Sequence, residues 1–365
     1  MTAAPALPPP PAIVQPAPFQ ASFGLVSGRV GPGVRRLEVR VGGSLVASRP
    51  LRGRRFSLRL DLPARDVPVR VTAVAAGGSR RSATVVHVFG LPRAAEPRLR
   101  STHEDWALAR TVRSLGRSFH GTCGVFVQSL GSGAGAAWNA KARFPAASTL
   151  KLAIALAVLR ATDGPPAPGT HVDSLLQAML IRSDNRAANE LETVAGGSHV
   201  VDSLLQSLGL RDTIMYGGYE TSDVRSPQAP IPIRLESQPG FGLGKYTTAF
   251  DLARLWRASW QAAGGIGPLA RVFRGAVTAA EARYLLRLLA LVRDQGKLDR
   301  FLRPGDVLLH KAGWLSTARH DAGLVFWRNG AVLAAVLTWT PGGAGTAADV
   351  LAGRLARSAR DRFAG

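Results

Sequence analysis

Apolar positions along this chain change their period once. From about residue 20 to 90 they recur every second residue: Leu37, Val39 and Val41 alternate with charged side chains, as do Phe56, Leu58 and Leu60, then Val67, Val69 and Val71. A period of two predicts strands with one buried face, and GPG, GG and GGS stretches between the runs space them as in a small all-β sandwich over residues 20–90. Residues 1–19 are proline-rich and are expected to form an extended or disordered arm. GLPRAAEPRLRST supplies a linker over residues 91–101. Beyond it the periods mix. Thr102 to Ser118 is predicted to be an amphipathic helix, and GVFVQSLGSGAGAAWN a β-hairpin with a glycine-rich turn. Several helices are expected between residues 144 and 300, then two strands, AGLVFW and AVLAAVLTW, and a helix from Ala347 to Phe363. Residues 102–365 therefore read as an α/β (α+β) domain, its antiparallel sheet built from both ends of the segment and joined by a helical lobe.

Composition changes this picture little. At 365 residues with 46% apolar content, two domains with sizeable cores are expected. The net charge is +22, and 41 of the 46 cations are Arg. They are scattered without aromatic interleaving, so nucleic acid is not the expected partner, whereas attraction to anionic cell-wall polymers is. No run of 18 uncharged apolar residues suggests a membrane span. The first 18 residues lack the charged start and apolar stretch of a signal peptide. Cys123 is the lone cysteine, so no internal disulfide and no thiolate metal site is expected; it reads as a small buried strand residue. The seven histidines show no metal-ligand spacing, and neither metal nor cofactor is expected. GSGAG lacks the Gly-Lys-Ser/Thr of a phosphate loop.

Three short segments carry the chemistry. In FPAASTLKLAIALAVL, Ser148 and Lys151 share one helix face among Ala, Leu and Ile. Burial would lower the lysine's pKa and let a neutral amine take the serine proton. If Ser148 opens the helix, its own N–H points where an oxyanion would form. A capping serine and a snorkelling lysine would leave the same two letters. MLIRSDNRAANELE sets Ser183, Asp184 and Asn185 between two helices, as caps or as a second hydroxyl and an amide for substrate. VLLHKAGWLSTARHDAGLVFW puts Lys311 on a strand followed by Ala312 and Gly313, small enough to admit an extended substrate backbone or to leave an edge-strand lysine that discourages aggregation. His310 should face the opposite side of that strand in a structural role, and His320-Asp321 is expected in a loop entering AGLVFW.

Together, Ser148-Thr-Leu-Lys151, Ser183-Asp-Asn185 and Lys311-Ala-Gly313 resemble the serine β-lactamase and penicillin-binding-protein superfamily, and within it the class A β-lactamases. AAWNAKARFPAASTLK, SDNRAANEL and KYTTAFDLARL extend the likeness over residues 103–365, and residues 20–90 resemble immunoglobulin-like modules. The resemblance implies Ser148 as acylated nucleophile, Lys151 as its proton acceptor and Ser183 as a relay to the leaving nitrogen. It also implies Lys311 and Asn185 as substrate holders, and an oxyanion hole from the N–H groups of Ser148 and Trp314 after Gly313. There are three departures. Ala312 stands where a hydroxyl is usual, leaving Ser316 or Thr317 as partial substitutes. Only 35 residues separate Ser148 from Ser183, which shortens the helical lobe. No Glu-X-X-X-Asn supplies a deacylating base: among Glu190, Glu192, Glu220 and Glu236, Glu220 is best placed by order.

The implied activity is an active-site-serine hydrolase opening a β-lactam or related amide through an acyl-enzyme. A D,D-peptidase acting on peptidoglycan peptides and a cell-wall-binding protein with a degenerate hydrolase domain remain as alternatives. The resemblance further implies export or a cell-envelope location, and a monomer is expected.

Overall fold

The structure, a computed structural model, describes residues 9–221 and 244–364. The chain divides into two compact units, residues 1–96 and 97–365.

The first unit is all β: β1 (Ala12–Gln15), β2 (Ala21–Ser22), β3 (Leu25–Arg29), β4 (Val34–Val41), β5 (Ser44–Pro50), β6 (Arg55–Arg59), β7 (Asp66–Ala75) and β8 (Arg80–Gly90). They form a three-stranded sheet, β1-β3-β6, and a five-stranded sheet, β2-β8-β7-β4-β5. Both sheets feed one core, in which Val26 and Phe56 meet Leu37, Val39, Val41, Val69 and Val71. The period of two in β4 and β7 turns these side chains inward while Arg36, Arg40 and Arg70 face solvent. One element departs from the sequence reading. The expected arm contains β1, which pairs antiparallel with β3, because Ala-Ile-Val-Gln offers four backbone N–H donors between prolines.

The second unit runs β9 (His103–Glu104), α1 (Trp106–Ser118), β10 (Thr122–Ser129), β11 (Ala134–Trp138), β12 (Phe144–Pro145), a 3₁₀ turn (Ala147–Leu150), α2 (Lys151–Ala161), α3 (His171–Ile181), α4 (Asn185–Val194) and α5 (Ser198–Ser207). After β13 (Tyr246–Thr247) come α6 (Ala249–Ala263), α7 (Gly267–Val272), α8 (Ala279–Ala290), β14 (Val307–Trp314), β15 (Ala318–Trp327), β16 (Gly330–Trp339) and α9 (Thr346–Arg362). The main sheet has the order β14-β15-β16-β10-β11-β9, so the hairpin and the final strands form one antiparallel surface with β14 at its edge. Only the short β9 joins it parallel.

Helices α1 and α9 cover one face. Leu108, Val112, Leu355 and Ala359 pack there on Cys123, Val125, Val127 and Val336. Burial pushes the Cys123 thiol up to about 12, so it behaves as a small apolar side chain. The opposite face carries α6, whose Phe250 ring meets Phe126 edge-on at 5.8 Å. Helix α2 is apolar all round and every residue from Lys151 to Leu159 is buried, so it forms the axis of the helical lobe. Caps fix the ends of its neighbours: Asp184 accepts from Ala187 N at the start of α4, and Thr278 with Glu281 forms a capping box on α8. Among the described residues no helix is long and apolar enough to cross a membrane.

Candidate active site

Ser148 does not open an α-helix as its spacing predicts. It lies in the 3₁₀ turn that precedes α2, and Ala147 before it holds φ at +47°. A non-glycine residue in the left-handed region costs about 1–3 kcal/mol and persists only where its surroundings enforce it. Here the hydroxyl of Tyr219 donates to the Ala147 carbonyl at 3.1 Å, and β14 backs onto the turn. At Gly313 that approach is so close that a Cβ would lie 2.7 Å from Ser148 N and 3.0 Å from Thr149 N. Glycine is therefore what lets the edge strand and the serine turn meet.

Lys151 is fully buried, one turn beyond Ser148. Its ammonium donates to Asn185 Oδ1 at 2.6 Å and to the Ser183 carbonyl at 2.6 Å, with Ser183 Oγ at 3.4 Å. These three acceptors use its three N–H donors. Among the described residues no hydrogen bond joins Lys151 to Ser148, the one contact that the helix-face spacing led us to expect. A carbonyl and an amide oxygen are stronger acceptors than a hydroxyl, and both lie within reach. Burial, then the nearby Lys311 charge, lowers Lys151 to about 7, against a smaller opposing pull from Asp184.

Ser183 reaches this point from the α3–α4 connection, also left-handed, with φ at +61°. Its hydroxyl accepts from Lys311 Nζ at 2.9 Å, so it sits between the two lysines. Lys311 is fully buried on β14, donates also to the Ala312 carbonyl at 2.9 Å, and is lowered to about 8, chiefly by burial. Three segments distant in sequence thus bring Ser183, Asn185, Lys151 and Lys311 to one point, with the Ser148 turn against β14 beside Gly313. Trp314 ends β14 with its indole exposed. Ser316 and Thr317 occupy the turn into β15, where their carbonyls accept from Ala344 N and Thr340 N.

The segment after α5 contributes what sequence reasoning missed. Gly217 and Tyr216 both take positive φ, and a Cβ on Gly218 would lie 2.6 Å from Asn189 Oδ1. This turn returns the Tyr219 ring beneath two cations, Lys151 Nζ at 4.7 Å and Lys245 Nζ at 4.8 Å from its centroid. Asn189 clamps the Tyr219 backbone on both sides, and Lys245 donates to the Gly218 carbonyl. The doubled glycine in MYGGYE, with an aromatic immediately after it, was the available signal. Glu220 follows with an exposed side chain, and its carbonyl accepts from Asn185 Nδ2 at 3.4 Å. Glu192 is buried near Gly218, and burial raises its carboxyl above the usual range while Lys245 opposes the rise. Glu236 lies outside the described residues.

His310 does face away from the lysines, paired with Asp321 at 2.9 Å inside the sheet. His320 and Asp321 lie within β15 and not in the expected loop: β14 pairs with them residue for residue. His320 donates from Nε2 to the Pro145 carbonyl and accepts from Thr338 N at Nδ1, and burial lowers it to about 4, so it is a neutral structural imidazole. Among the described residues no three His, Cys, Asp or Glu side chains cluster as a metal site would require.

Residues 107–164 and 162–363 match the model of the beta-lactamase enzyme family. No curated protein matches the chain. Among solved structures it is similar to PBP-A, at 21% identity and a TM-score of 0.58, covering 72% of this chain and 98% of that one. A PBP-A variant in an acyl-enzyme complex with penicillin G gives 21% and 0.56, over 73% and 99%. A beta-lactamase from Sphaerobacter thermophilus gives 22% and 0.53, over 71% and 97%. At these identities the structures establish a common mixed α+β fold.

Proposed function

Since the chain belongs to the beta-lactamase enzyme family, we propose that it is an active-site-serine hydrolase that is acylated on Ser148 by a β-lactam or a related amide. The observation that carries this reading is the placement of Ser183 Oγ between Lys151 and Lys311, with both lysines shifted toward neutrality. Lys151, neutral in much of the population at pH 7, takes the Ser148 proton as its ammonium contacts rearrange around bound substrate. Ser148 Oγ attacks the carbonyl carbon, and the resulting oxyanion is held by the N–H groups of Ser148 and Trp314. The tetrahedral intermediate collapses by breaking the C–N bond, and Ser183 passes a proton from Lys151 to the departing nitrogen. Lys311, still mostly charged at pH 7, draws in the substrate carboxylate, and Asn185 releases its amide to the acylamide side chain.

One feature favours slow release of the acyl group, and with it the D,D-peptidase reading. The face of Lys151 that meets the segment after α5 is packed by the Tyr219 ring, while Glu220 is an exposed residue within electrostatic reach of Lys245. Among the described residues no carboxylate is hydrogen-bonded to Ser148 to activate water. The N-terminal unit, with two sheets on one core, fits an immunoglobulin-like module that spaces the catalytic unit in the cell envelope. The test is incubation with penicillin G and intact-mass measurement over time. A covalent adduct that is absent from Ser148→Ala is expected, persisting for hours on the peptidase reading and turning over rapidly on the lactamase reading. Absence of both adduct and hydrolysis would remove the enzyme reading.

A further inference from the structure

Away from Ser148, a cleft of about 440 Å³ opens between α6, the chain around residues 99–101, the end of α5 and α7. Its size lies within the range of small-molecule sites. Four arginines line it: Arg100, Arg254, Arg257 and Arg271. Arg254 and Arg257 are one turn apart on α6, a spacing at which like charges repel. None of the four forms an ion pair among the described residues.

The acceptors these arginines do find are neutral. Arg257 donates to Thr102 Oγ1 at 2.8 Å and Gln128 Oε1 at 3.1 Å, Arg254 to the carbonyls of Gly209 and Leu208, and Arg100 to that of Gly131. A guanidinium has five N–H donors. Arg254 and Arg257 therefore each keep three without an acceptor among the described residues, in fixed positions and with their stems anchored. Asp251 is within electrostatic reach of Arg254, but its carboxylate is bound to Thr213 and to Asp212 N. Burial, then the Arg254 charge, lowers Arg257.

We infer that this cleft binds a phosphate-bearing ligand, whose dianionic group is gripped by Arg254 and Arg257 and met at the mouth by Arg100 and Arg271. A phosphate matches the guanidinium fork in a bidentate manner and offsets more of the four charges than a single carboxylate would. The cleft exceeds one phosphate in size, so the group arrives on a larger body: a small phosphorylated molecule or a unit of a phosphodiester chain.

The test is calorimetric titration of the full chain with pyrophosphate and, separately, with poly(glycerol phosphate), at low salt. Saturable binding is expected. Arg257→Gln should weaken it about tenfold, the factor carried by one charge-assisted hydrogen bond. Arg271→Gln, at an exposed position whose loss leaves folding intact, should weaken it as well. Arg113→Gln, on the exposed side of α1, should leave it unchanged. Pyrophosphate binding that the polymer does not displace identifies a small phosphorylated ligand, and tighter polymer binding lost in the same variants identifies a phosphodiester chain. No saturable binding of either probe, or equal weakening by Arg113→Gln, overturns the inference.

Discussion

Replacing Lys151 with Met should change how stability depends on pH. Lys151 is fully buried and its amine is lowered from 10.5 to about 7 in the folded chain, mainly by desolvation. Unfolded, it titrates near its ordinary value. Between about pH 7 and 10.5 the unfolded chain therefore binds the extra proton, and stability rises with pH across that window and is lost as pH falls through 7. Each unit corresponds to about 1.4 kcal/mol, so from pH 7 to pH 9 this one group should add about 2 kcal/mol to the wild type and nothing to Lys151→Met. The absolute difference between the two proteins also contains the donors withdrawn from Asn185 Oδ1 and the Ser183 carbonyl. Those losses do not titrate, so the change of the difference with pH isolates the amine. Lys245 and Lys311 titrate in both proteins and largely cancel. Urea unfolding of each protein at pH 7 and pH 9 measures it. A wild-type-minus-variant gap that stays constant within about 0.5 kcal/mol would refute the claim that Lys151 sits lowered in the fold.

The same shifts set an acylation profile. The rate of adduct formation should rise through about pH 7 as Lys151 loses its proton and fall beyond about 8 as Lys311 loses its charge; a monotonic rise to pH 10 would show that the Lys311 charge is dispensable. Gly313→Ala forces β14 off the Ser148 turn, since its Cβ would lie 2.7 Å from Ser148 N; a cost of about 1–3 kcal/mol and a large loss of acylation are expected by calorimetry and intact mass. Tyr219→Phe deletes the hydroxyl bond to the Ala147 carbonyl and should cost about 1 kcal/mol in thermal unfolding with slower acylation. Asp321→Ala leaves His310 Nδ1 and Leu298 N without their buried acceptor and should destabilise by about 1–3 kcal/mol for each, with unfolding monitored by circular dichroism.

What was legible in the sequence follows from how locally each feature is determined. Leu37-Val39-Val41 announces a strand because burial of one face imposes its period directly on the letters. The helix from Lys151 is readable for a similar reason, its uniform apolarity marking a lobe axis. Lys151 and Lys311 stand out as charges within apolar runs, and Ser183 could be grouped with them because the three motifs together resemble those of a known family. The donors' targets were not legible: whether Lys151 turns to Ser148 or to Asn185 depends on which acceptors the α3–α4 connection brings within 3 Å, and no spacing encodes that. Tyr219 escaped for the same reason, since its role rests on a turn made by Gly217 and Gly218 against Asn189. The strand at Ala12–Gln15 was hidden by flanking prolines whose composition mimics an unpaired arm.

Around Ser148 the chain breaks several local rules at once. Ala147 and Ser183 take left-handed backbone, Lys151 and Lys311 are buried with no ion-paired carboxylate among the described residues, and a Cβ on Gly313 would lie 2.7 Å from Ser148 N. Each feature costs stability, and none serves the packing of α2 or of the sheet edge, which apolar residues in ordinary geometry would serve better. Their convergence is a stronger indication of a reactive centre than any of the three motifs alone, because independent structural accidents would be scattered. It also explains why an otherwise ordinary core helix, buried from Lys151 to Leu159, holds an amine lowered to about 7. The low-dielectric surroundings that make α2 a good core are what strip Lys151 of its proton near neutral pH.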